Sequence, residues 1–141
     1  MTRFTLALAA VLAVAACGHK GPPIAPELVR PESPEQFAAV ATADGVKLGW
    51  LRPLRYSGGA RMNDLRGFVI ERAAGGPVFT KIGMYELEDR TRFRKERHLE
   101  WLDRDVQPGE RYLYRVTALT LDGYRSAPAG PVGITYEKPS E

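Results

Sequence analysis

Beyond residue 35 the chain alternates apolar and polar positions with period two, the spacing of strands that bury one face. In Val46-Lys47-Leu48-Gly49-Trp50, the residues Val46, Leu48 and Trp50 share a face. Phe68-Val69-Ile70-Glu71-Arg72 follows Gly67 and puts Phe68 with Ile70. Val78–Ile82 is a weaker run and Leu99-Glu100-Trp101 a short one. Tyr112–Ala118 is the longest, with Tyr112, Tyr114, Val116 and Ala118 predicted inward and Arg115 and Thr117 outward. Phe37–Val40 and Val132–Tyr136 complete seven predicted strands. Turn residues separate them: Pro53, Ser57-Gly58-Gly59, Gly75-Gly76-Pro77, Pro108-Gly109 and Asp122-Gly123. The Asp-Gly pair is a tight-turn signal, because glycine accepts a positive φ without steric cost. Seven short strands with frequent turns predict an all-β sandwich.

The N-terminus follows another pattern. A cationic start, Met1-Thr2-Arg3, precedes 13 residues, Phe4–Ala16, that are almost wholly apolar. As a helix they span roughly 20 Å, short of the ~30 Å hydrocarbon core, and they end in small residues, as a secretory signal peptide does. Cys17 is the single cysteine, so the domain holds no internal disulfide. Val14-Ala15-Ala16-Cys17 resembles a bacterial lipobox. The resemblance implies removal of residues 1–16, diacylglycerol and further acyl chains on Cys17, and a mature chain of 125 residues. One acyl chain anchors only marginally, whereas two or three make attachment effectively permanent. Gly18 stands where lipoproteins retained at the inner membrane usually carry Asp, so the resemblance implies the outer membrane, on its periplasmic face or at the cell surface.

Residues 18–34 contain five prolines, at 22, 23, 26, 31 and 34, and no apolar periodicity. Such a segment favours extended polyproline II, with a reach of about 50 Å at ~3.1 Å per residue. It reads as a stalk. The start Cys17-Gly18-His19-Lys20-Gly21-Pro22-Pro23 also resembles a family of very small lipoproteins, one of which assists maturation of the lipopolysaccharide translocon. That likeness covers about seven residues and implies an alternative role, as an accessory factor in envelope assembly acting through the lipidated end.

Within the sandwich, several residues carry a resemblance to the fibronectin type III domain, an immunoglobulin-like sandwich. They are Pro34 before the first strand, Trp50 with Pro53 after it, Phe68-Val69-Ile70, Trp101-Leu102-Asp103, and Val106-Gln107-Pro108-Gly109-Glu110-Arg111-Tyr112. Asp122–Pro128 resembles the turn before the last strand. The resemblance implies a core built on Trp50, Phe68, Trp101, Tyr112 and Tyr114. Tyr112 is then the tyrosine-corner residue, its hydroxyl bonding to upstream backbone. The resulting organisation is a signal peptide (1–16), a lipidated cysteine and Pro-rich tether (17–33), one sandwich (34–137) and a short tail (138–141). Two departures from the family pattern stand out. The connection from Leu51 to Arg66 is long, and Met84 to His98 inserts 15 residues before the fifth strand.

Composition narrows the function. The apolar set is 44% and charged residues 26%, values of a globular chain, and the net charge is only +3. That bias is too small to indicate nucleic acid. His19 and His98 are the two histidines, too far apart for a zinc spacing. Asp103 and Asp105 lack the oxygen-rich loop that calcium needs and read as turn-capping residues. Glu86, Glu88 and Asp89 have no partner nucleophile. No catalytic motif, metal site or cofactor is expected.

One polar feature is distinctive. In Arg90-Thr91-Arg92-Phe93-Arg94-Lys95-Glu96-Arg97, five of eight residues are basic. If extended, Arg90, Arg92 and Arg94 share a face; if helical, Glu86–Arg90 and Glu88–Arg92 form i, i+4 pairs. Arg90, Arg92, Arg94, Lys95 and Arg97 thus form a candidate patch for an anionic lipid or glycan, or for the carboxylates of an envelope protein. The insertion Met84–Arg97 and the Leu51–Arg66 loop make the expected interaction surface, by loop contact or strand addition. A weaker alternative is a carbohydrate-binding module, whose aromatic platform would draw on Tyr56, Tyr85, Phe93 and Tyr124.

Overall fold

The computed structural model describes residue 18 and residues 21–88 and 97–140. A single helical turn, α1 (Pro26–Val29), precedes seven strands: β1 (Glu35–Thr42), β2 (Gly45–Leu51), β3 (Leu65–Ala74), β4 (Thr80–Glu86), β5 (His98–Asp103), β6 (Arg111–Thr120) and β7 (Ala129–Thr135). They form two antiparallel sheets, β1-β2-β5 and β4-β3-β6-β7, packed as a sandwich. Each run predicted from the alternation lies in or overlaps a strand.

The inner faces are those the period-two pattern implies. Val46, Leu48 and Trp50 of β2 are fully buried, as are Phe68 and Ile70 of β3 and Tyr114, Val116 and Ala118 of β6. Trp50 stands edge-on to Phe68, with ring centroids 5.3 Å apart, and to Tyr85 of β4 at 6.0 Å. Tyr112 Oη accepts a 2.8 Å hydrogen bond from the Gln107 amide, five residues upstream, which fixes the corner between β5 and β6. Trp101 on β5 reaches across to β4, where a Cβ on Gly83 would stand 2.5 Å from its Cζ2.

Asp103 does more than cap a turn. One oxygen accepts the Asp105 amide at 3.1 Å. The other accepts Arg72 Nη1 at 2.8 Å and the Tyr114 hydroxyl at 2.7 Å. Burial opposes the charge on Arg72, but the hydrogen bond and charge of Asp103 more than offset it and raise its pKa. Tyr114 is pushed well above the usual phenol range by burial, then by its bond to Asp103.

Two expectations shift. Val78 and Phe79 precede β4 instead of opening it: Val78 is exposed, and Phe79 lies under the Arg115 guanidinium, 4.3 Å from Cζ to the ring centre. β4 pairs with β3 from Thr80 to Glu86, with a bulge where Ile70 pairs with Gly83 but Glu71 with Lys81. Met84, Tyr85 and Glu86, expected in the insertion, therefore pair with Val69, Phe68 and Gly67. The insertion shortens to residues 87–97.

Candidate functional site

Strand direction decides which loops meet. β2 ends where β5 begins, with Leu51 opposite His98, and β4 ends beside the start of β3, with Glu86 opposite Gly67. The two ends of the 87–97 insertion therefore leave and enter at the end of the sandwich that carries the β2–β3 loop. On one side the Leu87 amide donates to Arg66 O at 2.9 Å. On the other, the Arg52 amide donates to Arg97 O at 2.8 Å, and Arg97 Nε and Nη2 return to Arg52 O at 3.3 Å each. Arg97 thus extends the β2–β5 ladder, and two of its donors serve backbone. Arg90, Arg92, Arg94 and Lys95 lie outside the described residues, as does Phe93. His98, expected in a loop, is the exposed first residue of β5.

The chain enters at this same end, and it is folded there. The Glu32 amide donates to Arg55 O at 3.0 Å, the Ser57 amide to Arg30 O at 2.8 Å and the Gly58 amide to Leu28 O at 3.4 Å. Ser57 Oγ donates to Glu27 O, and Pro31 pairs with Tyr56 as an isolated bridge. The stretch 18–34, expected as a continuous extended stalk, is thus docked from Pro26 onward on the β2–β3 loop. Cys17 lies outside the described residues. From Cys17 to Pro26 the chain has nine residues to span, about 28 Å at ~3.1 Å each, roughly half the reach expected of a free stalk.

The β6–β7 turn completes this end. The Leu121 amide donates to Asp64 O at 2.8 Å, and the Tyr56 hydroxyl donates to Asp64 Oδ1 at 2.5 Å. Burial, then that hydrogen bond, push the Tyr56 phenol up to about 12. Sequence reasoning missed this assembly because backbone amides and carbonyls make most of it, and they leave no side-chain pattern.

The aromatic residues considered for a glycan platform separate. Tyr85 is spent on the core against Trp50 and Phe68, Tyr56 is half-buried, and Tyr124 is exposed. Among the described residues there is no group of three or more His, Cys, Asp or Glu placed to hold a metal, and no helix is long and apolar enough to cross a membrane.

Comparison with solved structures places this geometry. The third fibronectin III domain of the human KIAA0343 protein superposes with a TM-score of 0.53 at 13% identity, covering 88% of this chain and 97% of that one. The sixth fibronectin type III domain of human fibronectin type III domain containing protein 3 gives 0.51 at 15%, covering 79% and 90%. The fold is fibronectin type III-like. A beta-1,2-glucanase from Parabacteroides distasonis gives a TM-score of 0.57 at 16% identity, but the match spans 84% of this chain and only 14% of the glucanase. These identities speak to fold alone. No family model matches the chain, and no curated protein does.

Proposed function

We propose that this fibronectin type III-like module is a non-enzymatic lipoprotein, anchored in the outer membrane through acyl chains on Cys17, whose loop end binds a partner in the cell envelope. The partner carries anionic groups, as an envelope protein, a glycan or a lipid, and no nucleic acid is involved. The observation that supports the reading is the convergence at one end of the sandwich. The segment leading from Cys17, the long β2–β3 loop and both ends of the Arg-rich insertion meet there. A tethered domain that presents its two longest loops beside its tether suits capture of a neighbour, since tethering raises effective concentration.

Two measurements test it. Intact mass of the membrane-fraction protein should match residues 17–141 plus acyl chains, and Cys17→Ser should abolish the increment; an unmodified mass from the soluble fraction removes the anchor. Crosslinking in the envelope should capture a partner that is lost when Arg90, Arg92 and Arg94 are replaced by Ser. Persistence of the partner in that variant, with loss on replacing Lys20, Gly21 and Pro22, supports the alternative instead. The chain is then an accessory factor in envelope assembly working through its N-terminal motif, whose Gly21, Pro22 and Pro23 are exposed ahead of the docked turn. Retention on insoluble polysaccharide would point to a carbohydrate module, for which Tyr56 and Tyr124 are the aromatics left among the described residues.

A further inference from the structure

We propose that the face built by the docked N-terminal segment, the β2–β3 loop and the β6–β7 turn lies against the headgroup surface of the membrane that holds Cys17. This orientation rests on the reading of Cys17 as lipidated and adds what that reading lacks, a defined pose of the domain on the bilayer.

Apolar exposure is lopsided. Six aliphatic side chains are strongly exposed among the described residues; three of them, Leu28, Leu54 and Leu121, stand on the docked segment or on the two loops tied to it, and a fourth, Ile24, lies two residues ahead of Pro26. Backbone bonds tie these pieces together at one end of the sandwich. Gly58 meets Leu28, Met62 donates to Leu54 O at 2.9 Å, and Leu121 donates to Asp64 O at 2.8 Å. Such side chains gain nothing from water and gain free energy at the boundary of headgroups and acyl chains.

The polar groups beside them suit the same boundary. Arg30 and Arg55 are exposed next to Leu28 and Leu54; Arg55 Nη1 already donates to Gly59 O at 2.9 Å, whereas exposed arginines of this kind can rest on apolar surface and direct further donors to phosphate. Glu27 and Glu32 on the segment, Asp64 on the β2–β3 loop and the exposed Asp122 on the β6–β7 turn oppose that attraction. The contact therefore rests on the aliphatic side chains at least as much as on charge.

Geometry supplies the remaining constraint. The docked turn begins at Pro26, nine residues from Cys17, so this end stays within about 28 Å of the anchor point at ~3.1 Å per residue. The opposite end carries the β1–β2 turn with Asp44, and a sandwich length separates it from the entering chain. Confinement of this kind makes a weak surface contact persistent, because the bilayer is always within reach.

The experiment uses the full chain, matured in cells and reconstituted in phosphatidylethanolamine–phosphatidylglycerol vesicles. Leu54→Cys, Leu121→Cys and Asp44→Cys each carry one fluorophore, since the Cys17 thiol is consumed by lipidation. Intact mass is read on every sample. The probes at 54 and 121 should lose quenching by aqueous iodide and gain quenching by doxyl-labelled lipid, while the probe at 44 keeps its iodide quenching. Acylated protein with all three probes open to iodide overturns the orientation and leaves the anchor standing. Shielding from iodide without quenching by doxyl lipid overturns it too, because the cover is then protein. An unacylated mass overturns the anchor, and the orientation falls with it.

Discussion

Arg72 of β3 and Asp103 of β5 meet at 2.8 Å across the gap between the two sheets, with side-chain exposures of 16% and 4%. Each sits at an inward position of its strand, and Tyr114 of β6 donates to the same carboxylate oxygen at 2.7 Å. A buried pair of this kind contributes little net stability against an apolar replacement, but removing one member leaves a charge stranded.

Asp103→Ala should therefore destabilise the domain by about 3 kcal/mol, because it takes the acceptor from the buried Tyr114 hydroxyl and leaves Arg72 to the exposed Asp105, whose carboxylate is 3.6 Å away. The Arg72→Met, Asp103→Leu double variant should recover part of that loss, because no buried charge is left unpaired, although the Tyr114 hydroxyl still lacks its acceptor. Urea unfolding followed by tryptophan fluorescence measures both. Equal losses in the single and the double variant would show that the ion pair is not what holds this corner.

Alkaline pH should expose the same cluster. The Tyr114 phenol is held above its unfolded value by burial and by its bond to Asp103. Its contribution is thus complete below pH ~10 and drains away as pH rises toward the folded value. One such proton gives a slope of about 1.4 kcal/mol per pH unit. Tyr56, pushed up to about 12, acts in the same direction. Unfolding free energies should stay level from about pH 8 to about 10, then fall toward about pH 12 in the native chain and less steeply in Tyr114→Phe. Parallel slopes would remove Tyr114 as the source.

Gly83→Ala tests the closure between β4 and β5. The new Cβ would stand 2.5 Å from Trp101 Cζ2 and 3.2 Å from Cε2, so the indole must shift off the strand. The expected loss is about 1–3 kcal/mol, as for other overpacked sites, with a red shift and broadening of tryptophan emission. An unchanged spectrum and midpoint would mean that Trp101 is free to move at no cost.

How far the sequence reveals all this depends on which atoms do the work. The sandwich is legible because side-chain alternation sets each inner face, and Val46, Leu48 and Trp50 show it directly. Arg72 and Asp103 were also visible in principle: each continues the inward phase of its strand, after Phe68 and Ile70 and after Leu99 and Trp101. A charge in that phase on two strands signals a buried pair. The start of β4 is less accessible, since Val78 and Phe79 look like core while Phe79 is instead covered by Arg115. The docking of residues 26–32 is the least legible, because amides and carbonyls make it. In the candidate site, Cys17 and the Arg-rich run stand out in the sequence, whereas the folded N-terminal segment beside them does not.

That docking yields the last prediction. Gly58 lies under α1, where a Cβ would stand 3.0 Å from Leu28 O and 3.1 Å from Leu28 Cβ. Gly58→Val places two further methyl groups there, and the helical turn must lift away. Three contacts then weaken together: the Gly58 amide to Leu28 O, the Ser57 amide to Arg30 O and the Glu32 amide to Arg55 O. The strands do not depend on them, so the unfolding free energy of the sandwich should change by no more than about 0.5 kcal/mol, as for a surface change. Amide hydrogen exchange at Glu32 and Ser57 should nevertheless accelerate to near that of an open loop, and proteolysis between residues 26 and 34 should begin. Unchanged protection at both amides would mean that the segment is held by something other than this loop. Loss of the whole fold would mean that the docked turn is part of the domain and not an attachment to it.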